Sequence, residues 1–471
     1  MNILKKLIGS QNNKETTIFD EKSTVKSAFW YLIANLFAKG IAYITTPLFT
    51  RELSTAEYGL FNILISWESI LFIILTLDLH TSINTAKYDF KEKTNEFLST
   101  IVFLSNLTTL TFWLIVEISK SFWCNLFSAD ISTIRLLCVY FMFYPAFDFY
   151  MIKSRMFGKF KFVVFYSIFT ASVRTIVSLL LVLTMDNKLQ GRIIGYFLPI
   201  SILYSFIWIY VYFSGRRVNL DCAKYVLRIS MPMIRHTLFG VLLSYSDRLM
   251  IQYFCGNDDV AFYSLAYSIG MIATLIFRSI EQAWTPWLFD RMNENNSEKI
   301  QRISFVYVII VLFFMFGLIL IAPEIILIMG GRKYLFSKYI MPPVIVGCMF
   351  QFGYSMYVNI EVFLKKTGLI SLGTFSAALL NIVLNYYFIP KFGYFAAAYT
   401  TLVGYFALML FHLIIVKLIL KKYTNIYNEK KMFLSLGIFA LLGCCCIKLY
   451  DLSIFRYVCL ILYGLVIIAF G

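Results

Sequence analysis

The sequence predicts an all-α integral membrane protein with about fourteen transmembrane helices, with twelve as the alternative. Composition, a series of long apolar windows and an internal repeat support this prediction. Of the 471 residues, 60% are hydrophobic and 14% are charged, and the mean hydropathy is +0.75. Soluble domains carry about 45–50% apolar and about 25% charged residues. A soluble chain of this composition would lack the polar surface that covers a core, so lipid is the predicted solvent.

The transmembrane helices are predicted from apolar windows of about 20 residues, the length that crosses the hydrocarbon core of a bilayer. The last two windows are the shortest, which is why twelve spans stay open as the alternative. In chain order the fourteen windows are 26–48, 60–80, 97–118, 131–152, 162–184, 193–213, 229–254, 260–283, 303–322, 339–361, 369–389, 394–416, 432–447 and 454–470.

Positive charge orients the helices, because the cytoplasmic loops of membrane proteins carry an excess of Lys and Arg. With the N-terminus inside, the inward segments hold 26 of the 42 Lys and Arg residues, the outward segments hold eleven and the spans hold five. Residues 1–25 lack the continuous apolar core of a signal peptide and are predicted to be a cytoplasmic tail. The net charge of +16 is spread over seven short inward segments. It indicates contact with an anionic leaflet rather than with nucleic acid.

The first twelve windows divide into two sets of six that repeat with an offset near 202 residues. This offset carries Glu57 to Asp259, and at a second landmark it carries Gly191 to Gly393. Each repeat holds an even number of spans, so both copies enter the membrane from the same side, as in transporters with parallel repeats. The prediction is two six-helix lobes around a central cavity. Its segments are a cytoplasmic tail at 1–25, an N-lobe at 26–213, a cytoplasmic linker at 214–228, a C-lobe at 229–416, and a cytoplasmic loop with two extra helices at 417–471.

Three stretches carry a family resemblance: "TRELSTAEYGLFN" at 50–62, "YSDRLMIQYF" at 245–254 and "IPKFGYFAAAYTT" at 389–401. They resemble, in this order, the first outward turn, the start of the second lobe and the turn before helix twelve of bacterial polysaccharide flippases of the Wzx type. The resemblance covers most of 24–416. These flippases share a superfamily with multidrug/toxin extruders and with the lipid II flippases. The lipid II flippases have fourteen spans, and the two extra helices of this sequence resemble that pattern.

This resemblance implies a transporter of the bacterial plasma membrane with a cytoplasmic N-terminus. Its substrate would be an undecaprenyl-pyrophosphate-linked oligosaccharide, the repeat unit of an O-antigen or capsule, which moves from the inner to the outer leaflet by alternating access. Membrane lipid and other polysaccharide assembly proteins are the implied partners.

Five Lys and Arg residues lie within the predicted spans, where an ionised group costs about 2.5–3.5 kcal/mol on insertion scales. Lys39 and Arg174 lie near the middle of helices one and five, and Arg235 and Arg278 lie in the inner halves of helices seven and eight. We expect these four cations to line the cavity and neutralise the pyrophosphate, with His236 as a titratable neighbour.

Three cations of the second lobe are also open to a purely structural interpretation. Arg278 is three residues from Glu281 and would be neutralised by it on one helix face. Arg235 would partly snorkel to the inner boundary, and snorkelling is the favoured interpretation for Arg248 near the outer end of helix seven.

Acidic residues within the spans are candidates for ion coupling, because a carboxylate in a cavity exchanges a proton or binds Na⁺. Asp247 and Glu281 of the second lobe are the first choices, and Asp78 and Glu68 of helix two are further candidates. Charge balance against a nearby Arg explains these residues equally well.

Two other functions share parts of this pattern. A multidrug/toxin extruder has the same fold, although five cations in the spans are not what a pocket for cationic drugs would need. A membrane polysaccharide polymerase is the enzymatic rival, but the longest outward segment, 323–338, has sixteen residues, and no nucleophile–base arrangement or Walker-type loop is visible. No metal site or cofactor is predicted, because the nine cysteines form no C-x-x-C pair and His80, His236 and His412 are scattered. A non-enzymatic transporter is therefore the prediction.

Overall fold

A computed structural model describes residues 21–91, 93–419 and 425–470. Helices make up almost all of these residues, and no β-strand occurs among them. Most of the predicted cytoplasmic tail, at 1–20, and part of the loop after helix twelve, at 420–424, lie outside the described residues.

The helices follow one another with short connections. In the first half they are α1 (Glu21–Glu52), α2 (Thr55–Thr76), a 3-10 turn (Leu79–Ser82), α3 (Ile83–Asp89), α4 (Thr94–Ile118), α5 (Lys120–Phe127), α6 (Ile131–Met156), α7 (Phe160–Thr184) and α8 (Lys188–Gly215). In the second half they are α9 (Leu220–Cys255), α10 (Asn257–Asn293), α11 (Ser297–Leu320), α12 (Ala322–Gly330), a 3-10 turn (Arg332–Ile340), α13 (Met341–Phe363), α14 (Thr367–Phe392), α15 (Tyr394–Leu418), α16 (Glu429–Leu449) and α17 (Ser453–Phe470).

Twelve helices of the described chain are long and apolar enough to cross a membrane. Each of the fourteen predicted windows falls on a helix, and the all-α integral membrane fold is confirmed. The windows 26–48 and 454–470 fall on α1 and α17, which are not among the twelve. The chain is a multi-pass membrane protein.

The second predicted helix ends earlier than its apolar window. Helix α2 stops at Thr76, and Leu77 and Asp78 adopt left-handed backbone conformations with φ of 49° and 53°. A left-handed residue with a side chain costs roughly 1–2 kcal/mol, so the helix cannot continue through two of them. A short 3-10 turn and α3 follow instead.

The described chain forms two compact units, of which the first holds the residues up to Thr45 together with Leu75–Met231. Its core joins α3, α4, α6, α8 and the start of α9. Helices α7 and α8 approach closely at Gly195, where a Cβ atom would lie 2.3 Å from the Ser178 Cα atom. Small residues at such contacts are typical of membrane helix pairs.

The second unit holds Thr46–Ile74 and the chain from Pro232 onward. Its central helix is α13, which packs against α10, α15 and α16. The two additional helices belong to this unit: α16 packs against α11 and α13, and Arg456 of α17 forms an ion pair with Glu324 of α12. The lobe boundaries at 26–213 and 229–416 stay a prediction.

Candidate functional site

The stretch between the first two helices, residues 49–59, forms a tight turn with a capped helix start. The Ser54 amide donates to Glu57 Oε2 at 2.8 Å, and the Glu57 amide donates to Ser54 Oγ at 3.2 Å. This reciprocal capping box satisfies backbone donors that the first turn of α2 leaves free. It explains why a Ser-Thr turn followed by Glu interrupts two apolar helices.

The same turn docks on the N-terminus of α10 within the second unit. Thr55 Oγ1 donates a hydrogen bond to Asp258 Oδ1. A Cβ atom on Gly59 would lie 1.8 Å from the Asn257 carbonyl oxygen, so the close approach requires glycine. The two stretches that the sequence pairs by an offset near 202 residues therefore contact each other.

Asp247 of α9 lies at the centre of a fully buried polar cluster in the second unit. Its Oδ2 accepts hydrogen bonds of 2.6 Å from the hydroxyls of Tyr263 and Thr401, and its Oδ1 accepts one of 2.6 Å from Asn385 Nδ2. The three donors come from α10, α15 and α14. Four helices therefore converge on one carboxylate with no exposed surface.

A second layer of polar side chains holds these donors in place. Asn381 and Asn385 are four residues apart on one face of α14, and Asn385 Nδ2 also donates to Asn381 Oδ1 at 3.2 Å. Asn381 Nδ2 donates to Thr401 Oγ1 at 3.2 Å, and Thr400 Oγ1 donates to Asn385 Oδ1. Each amide thus both donates and accepts, which fixes the orientation of the cluster.

Arg248 is buried rather than snorkelled, which corrects the expectation from the sequence. Its Nε donates to Ser264 Oγ at 3.2 Å and its Nη1 donates to the Ser244 carbonyl at 3.0 Å. The guanidinium carbon lies 4.7 Å from the centre of the Tyr267 ring. Arg248 forms no ion pair with Asp247, but it places a positive charge on the neighbouring residue of the same helix.

The Asp247 cluster brings carboxylate, amide and hydroxyl groups together away from solvent. Carboxylate, amide and hydroxyl oxygens are the ligands that hard cations prefer. A buried carboxylate is costly unless hydrogen bonds or a positive charge compensate it. Because the compensating donors come from the surrounding helices, we expect binding of a cation or proton at Asp247 to depend on whether these helices stay packed. The sequence-based choice of Asp247 as an ion-coupling residue fits this geometry and stays a prediction.

The first unit contains Lys39 and Arg174 of the predicted cationic lining. Lys39 has an exposed side chain. Arg174 is partly buried, its guanidinium carbon lies 4.0 Å from the centre of the Tyr196 ring, and its Nη2 donates to the Tyr140 hydroxyl at 3.3 Å. Aromatic faces stabilise a partly buried cation of this kind.

The second unit contains Arg235, His236 and Arg278. Arg235 and Arg278 are exposed, and His236 is half-buried. Glu281 accepts a hydrogen bond from Asn359 Nδ2 at 3.4 Å and makes no ion pair with Arg278, so the intrahelical neutralisation considered from the sequence does not form.

The remaining acidic candidates occupy different environments. Asp78 is fully buried at the break after α2, where its Oδ1 lies 3.4 Å from His80 Nδ1. Glu68 is half-buried in the middle of α2. Neither residue belongs to the Asp247 cluster.

The sequence alone does not predict a role for several residues of these buried clusters. Asn381 and Asn385 are neutral, and only their four-residue spacing in an apolar helix would have indicated a polar stripe. His412 stands as an isolated histidine in the sequence, yet it contacts Glu361 in the core of the second unit.

The family model described as "Polysaccharide biosynthesis protein" matches residues 24–292, which is more than half of the chain. The chain belongs to this polysaccharide biosynthesis protein family. A second model, MatE, matches residues 232–387 of this family member. Over 94% of both chains, the family member is 23% identical to the uncharacterized membrane protein MJ1068 of Methanocaldococcus jannaschii.

Solved structures show the same fold. The family member is similar to the lipid II flippase MurJ in an inward closed conformation, with a TM-score of 0.68 and 16% identity over 92% of this chain and 96% of MurJ. A MOP superfamily transporter from Pyrococcus furiosus gives a TM-score of 0.59 and 12% identity over 94% and 100% of the two chains. The Vibrio cholerae MATE transporter VcmN gives 0.53 and 12% over 86% and 98%. This member of the polysaccharide biosynthesis family therefore has the fold of MOP superfamily transporters.

Proposed function

We propose that the protein is a flippase that moves an undecaprenyl-pyrophosphate-linked polysaccharide repeat unit from the inner to the outer leaflet of a bacterial plasma membrane. The observation that carries the proposal is membership of the polysaccharide biosynthesis family across residues 24–292. The likeness to MurJ over 92% of the chain supports it, because MurJ is a flippase of lipid II. The N-terminus is proposed to be cytoplasmic.

The cations are proposed to bind the pyrophosphate. A pyrophosphate carries several negative charges that lose water on entering the membrane, and Arg side chains replace that water with paired, charge-assisted hydrogen bonds. Arg174 contacts two tyrosines, whereas Lys39, Arg235 and Arg278 have exposed side chains. His236, beside Arg235 in the sequence, is proposed as a further member of this lining.

The Asp247 cluster is proposed to couple transport to a gradient of Na⁺ or H⁺. Four helices meet at this carboxylate, so occupancy by a cation would favour one packing of the helices over another. The docked turn at Thr55 and Asp258 is a contact that alternating access would make and break. Glu281, Asp78 and Glu68 remain secondary candidates for the coupling role.

Depletion of the protein in its host tests the proposal. We expect lipid-linked oligosaccharide to accumulate on the cytoplasmic leaflet, measured by its accessibility to an impermeant glycosidase in right-side-out and everted vesicles. Translocation of intact repeat units with only the polymer length altered would overturn the proposal and favour a polymerase. The variants Lys39→Ala and Arg174→Ala should reduce export at normal membrane abundance, and Arg216→Ala, in the exposed linker, is the control. Normal export in both variants would remove these residues from the site.

A multidrug/toxin extruder is the second candidate, because the MatE model matches residues 232–387. The same depletion strain distinguishes the two functions. An extruder would change sensitivity to cationic dyes and leave the leaflet distribution of lipid-linked oligosaccharide unaltered.

A further inference from the structure

We propose that Glu361 and His412 form a proton-binding site at the predicted inner end of the second unit, separate from the Asp247 cluster. Its role in coupling rests on the proposed function, whereas its ability to hold a proton does not.

The two side chains form a contact that is sealed from solvent. Glu361 Oε1 of α13 lies 2.7 Å from His412 Nδ1 of α15, and both side chains have 0% exposure. The Tyr354 ring lies nearly parallel to the imidazole at 5.9 Å, and the Phe411 ring meets it edge-on at 5.4 Å. The pair is therefore enclosed by aromatic surfaces rather than water.

The outer atoms of the pair are buried. Among the residues that the structure describes, none forms a hydrogen bond with Glu361 Oε2 or His412 Nε2. A Cβ atom on Gly373 would lie 2.9 Å from His412 Nε2, so glycine lets the backbone of α14 press against the imidazole. In a buried pair that serves stability alone, these atoms would normally have hydrogen-bond partners. Their burial without such partners indicates a functional reason for the pair.

Charge balance fixes how many protons the pair holds while the helices are packed. With one proton shared between Nδ1 and Oε1, the pair has no net charge. Loss of that proton leaves a carboxylate beside a neutral imidazole, and gain of another leaves an imidazolium beside a neutral acid. Either charged state is strongly disfavoured in an apolar core. The proton is thus held in the packed state and exchanges when α13 and α15 separate.

Other charged groups on the surrounding helices do not neutralise the pair. Within the described chain, no Lys, Arg, Asp or Glu other than Glu361 itself forms an ion pair with Glu361 or His412. The charged residues nearest to Glu361 along the chain are Lys365 and Lys366, just after α13, and the Lys366 amide donates to the Glu361 carbonyl at 2.8 Å. Other titratable groups on the packed elements include Arg278 and Glu281 of α10, Tyr354 and Tyr357 of α13, Tyr405 of α15, Tyr427 before α16, and Glu429 at its start, which pairs with Lys417. The balance of the pair is therefore set by its own two members.

Helix α15 joins this pair to the Asp247 cluster. Thr401 of α15 donates to Asp247, and His412 lies eleven residues further along the same helix, about 16 Å away at 1.5 Å per residue. A movement of α15 that releases one site also changes the packing of the other.

The first test measures the proton itself in the purified full-length protein. The chain has three histidines, so ¹⁵N-histidine labelling gives few signals, and the signal lost in His412→Gln is that of His412. We expect the His412 Nδ1 resonance to stay constant between about pH 5 and about pH 8 and to change in Glu361→Gln. A wild-type His412 that titrates like a solvent-exposed imidazole, or one that is unaltered by Glu361→Gln, would overturn the proposal.

The second test measures coupling in cells. Export of lipid-linked oligosaccharide should slow by about tenfold when the transmembrane pH gradient is collapsed in wild type and in Glu429→Gln, a control whose carboxylate pairs with Lys417. Export by Glu361→Gln and His412→Gln should not respond to that collapse. A wild-type response in both variants would overturn the coupling role. If wild type exports no such lipid, the proposed function fails, and the resonance experiment still decides whether the pair holds a proton.

Discussion

Replacing Gly59 by alanine tests whether the turn between α1 and α2 docks on the N-terminus of α10. The added Cβ atom would lie 1.8 Å from the Asn257 carbonyl oxygen and 2.8 Å from its carbonyl carbon. Carbon–oxygen contacts normally begin near about 3.3 Å, so the two backbones must separate by about 1.5 Å. The hydrogen bond from Thr55 to Asp258 is lost with that separation.

The expected magnitude follows from the overlap. Forcing a methyl group into a close contact destabilises the packed arrangement by about 1–3 kcal/mol. With a central value of about 2 kcal/mol, the docked arrangement loses about thirtyfold in population relative to the undocked one, since about 1.4 kcal/mol corresponds to a factor of ten.

Oxidative cross-linking in membranes measures the docked fraction. Cysteines introduced as Thr55→Cys and Asp258→Cys should cross-link efficiently in the parent chain and poorly when Gly59→Ala is added. Gly437→Ala in α16 is the matched control, because a Cβ atom there meets nothing within 4 Å. Equal cross-linking with and without Gly59→Ala, at equal membrane abundance, would refute the reasoning.

Three further predictions follow from other parts of the structure. Asp247→Asn keeps the shape of the buried side chain but removes its charge. Everted vesicles should therefore contain normal amounts of the variant, and its export should no longer respond to an imposed Na⁺ gradient. Arg456→Gln removes two hydrogen bonds of 2.5 Å to Glu324. Because Glu324 is 36% exposed, the free energy of unfolding should fall by about 1–2 kcal/mol rather than the 3–5 kcal/mol of a fully buried pair, seen as a lower thermal midpoint in detergent. In the turn between α16 and α17, a hydrogen bond from Tyr339 holds the pKa of Asp451 below its usual value. The contribution of Asp451 to the stability of this turn is therefore present above about pH 3.8 and lost as the pH falls through the lower, folded-state pKa. Pepsin cleavage of the turn should rise with acidification in wild type and be high throughout in Asp451→Asn.

The membrane helices could be predicted from the sequence because lipid imposes length and apolarity directly on each span. The early end of α2 could not. Leu77 and Asp78 adopt left-handed conformations without the glycine that usually indicates them, and Leu favours a continuing helix. The packing of α3 and α4 in the first unit holds that break in place, and such tertiary contacts leave no trace in an apolar window.

The candidate site was only partly predictable, for a related reason. Asp247 stands out as an acid inside an apolar span, but its hydrogen-bond partners come from three other helices, up to 154 residues away. The same holds for Glu361 and His412, which are 51 residues apart and each look isolated. Helical periodicity shows which residues share a face and does not show which faces meet.

The position of both ionisable sites on α15 has a thermodynamic consequence. Thr401 and His412 belong to one helix that contacts Asp247 at one depth and Glu361 at another. If a cation at Asp247 and a proton at the pair each favour a particular packing of α15, then each ligand alters the affinity for the other by the same factor, because binding linkage is reciprocal. Sodium added to the purified protein should then change the His412 resonance, and Asp247→Asn should abolish that change while leaving the resonance itself in place. A His412 signal that ignores sodium would show that the two sites act independently.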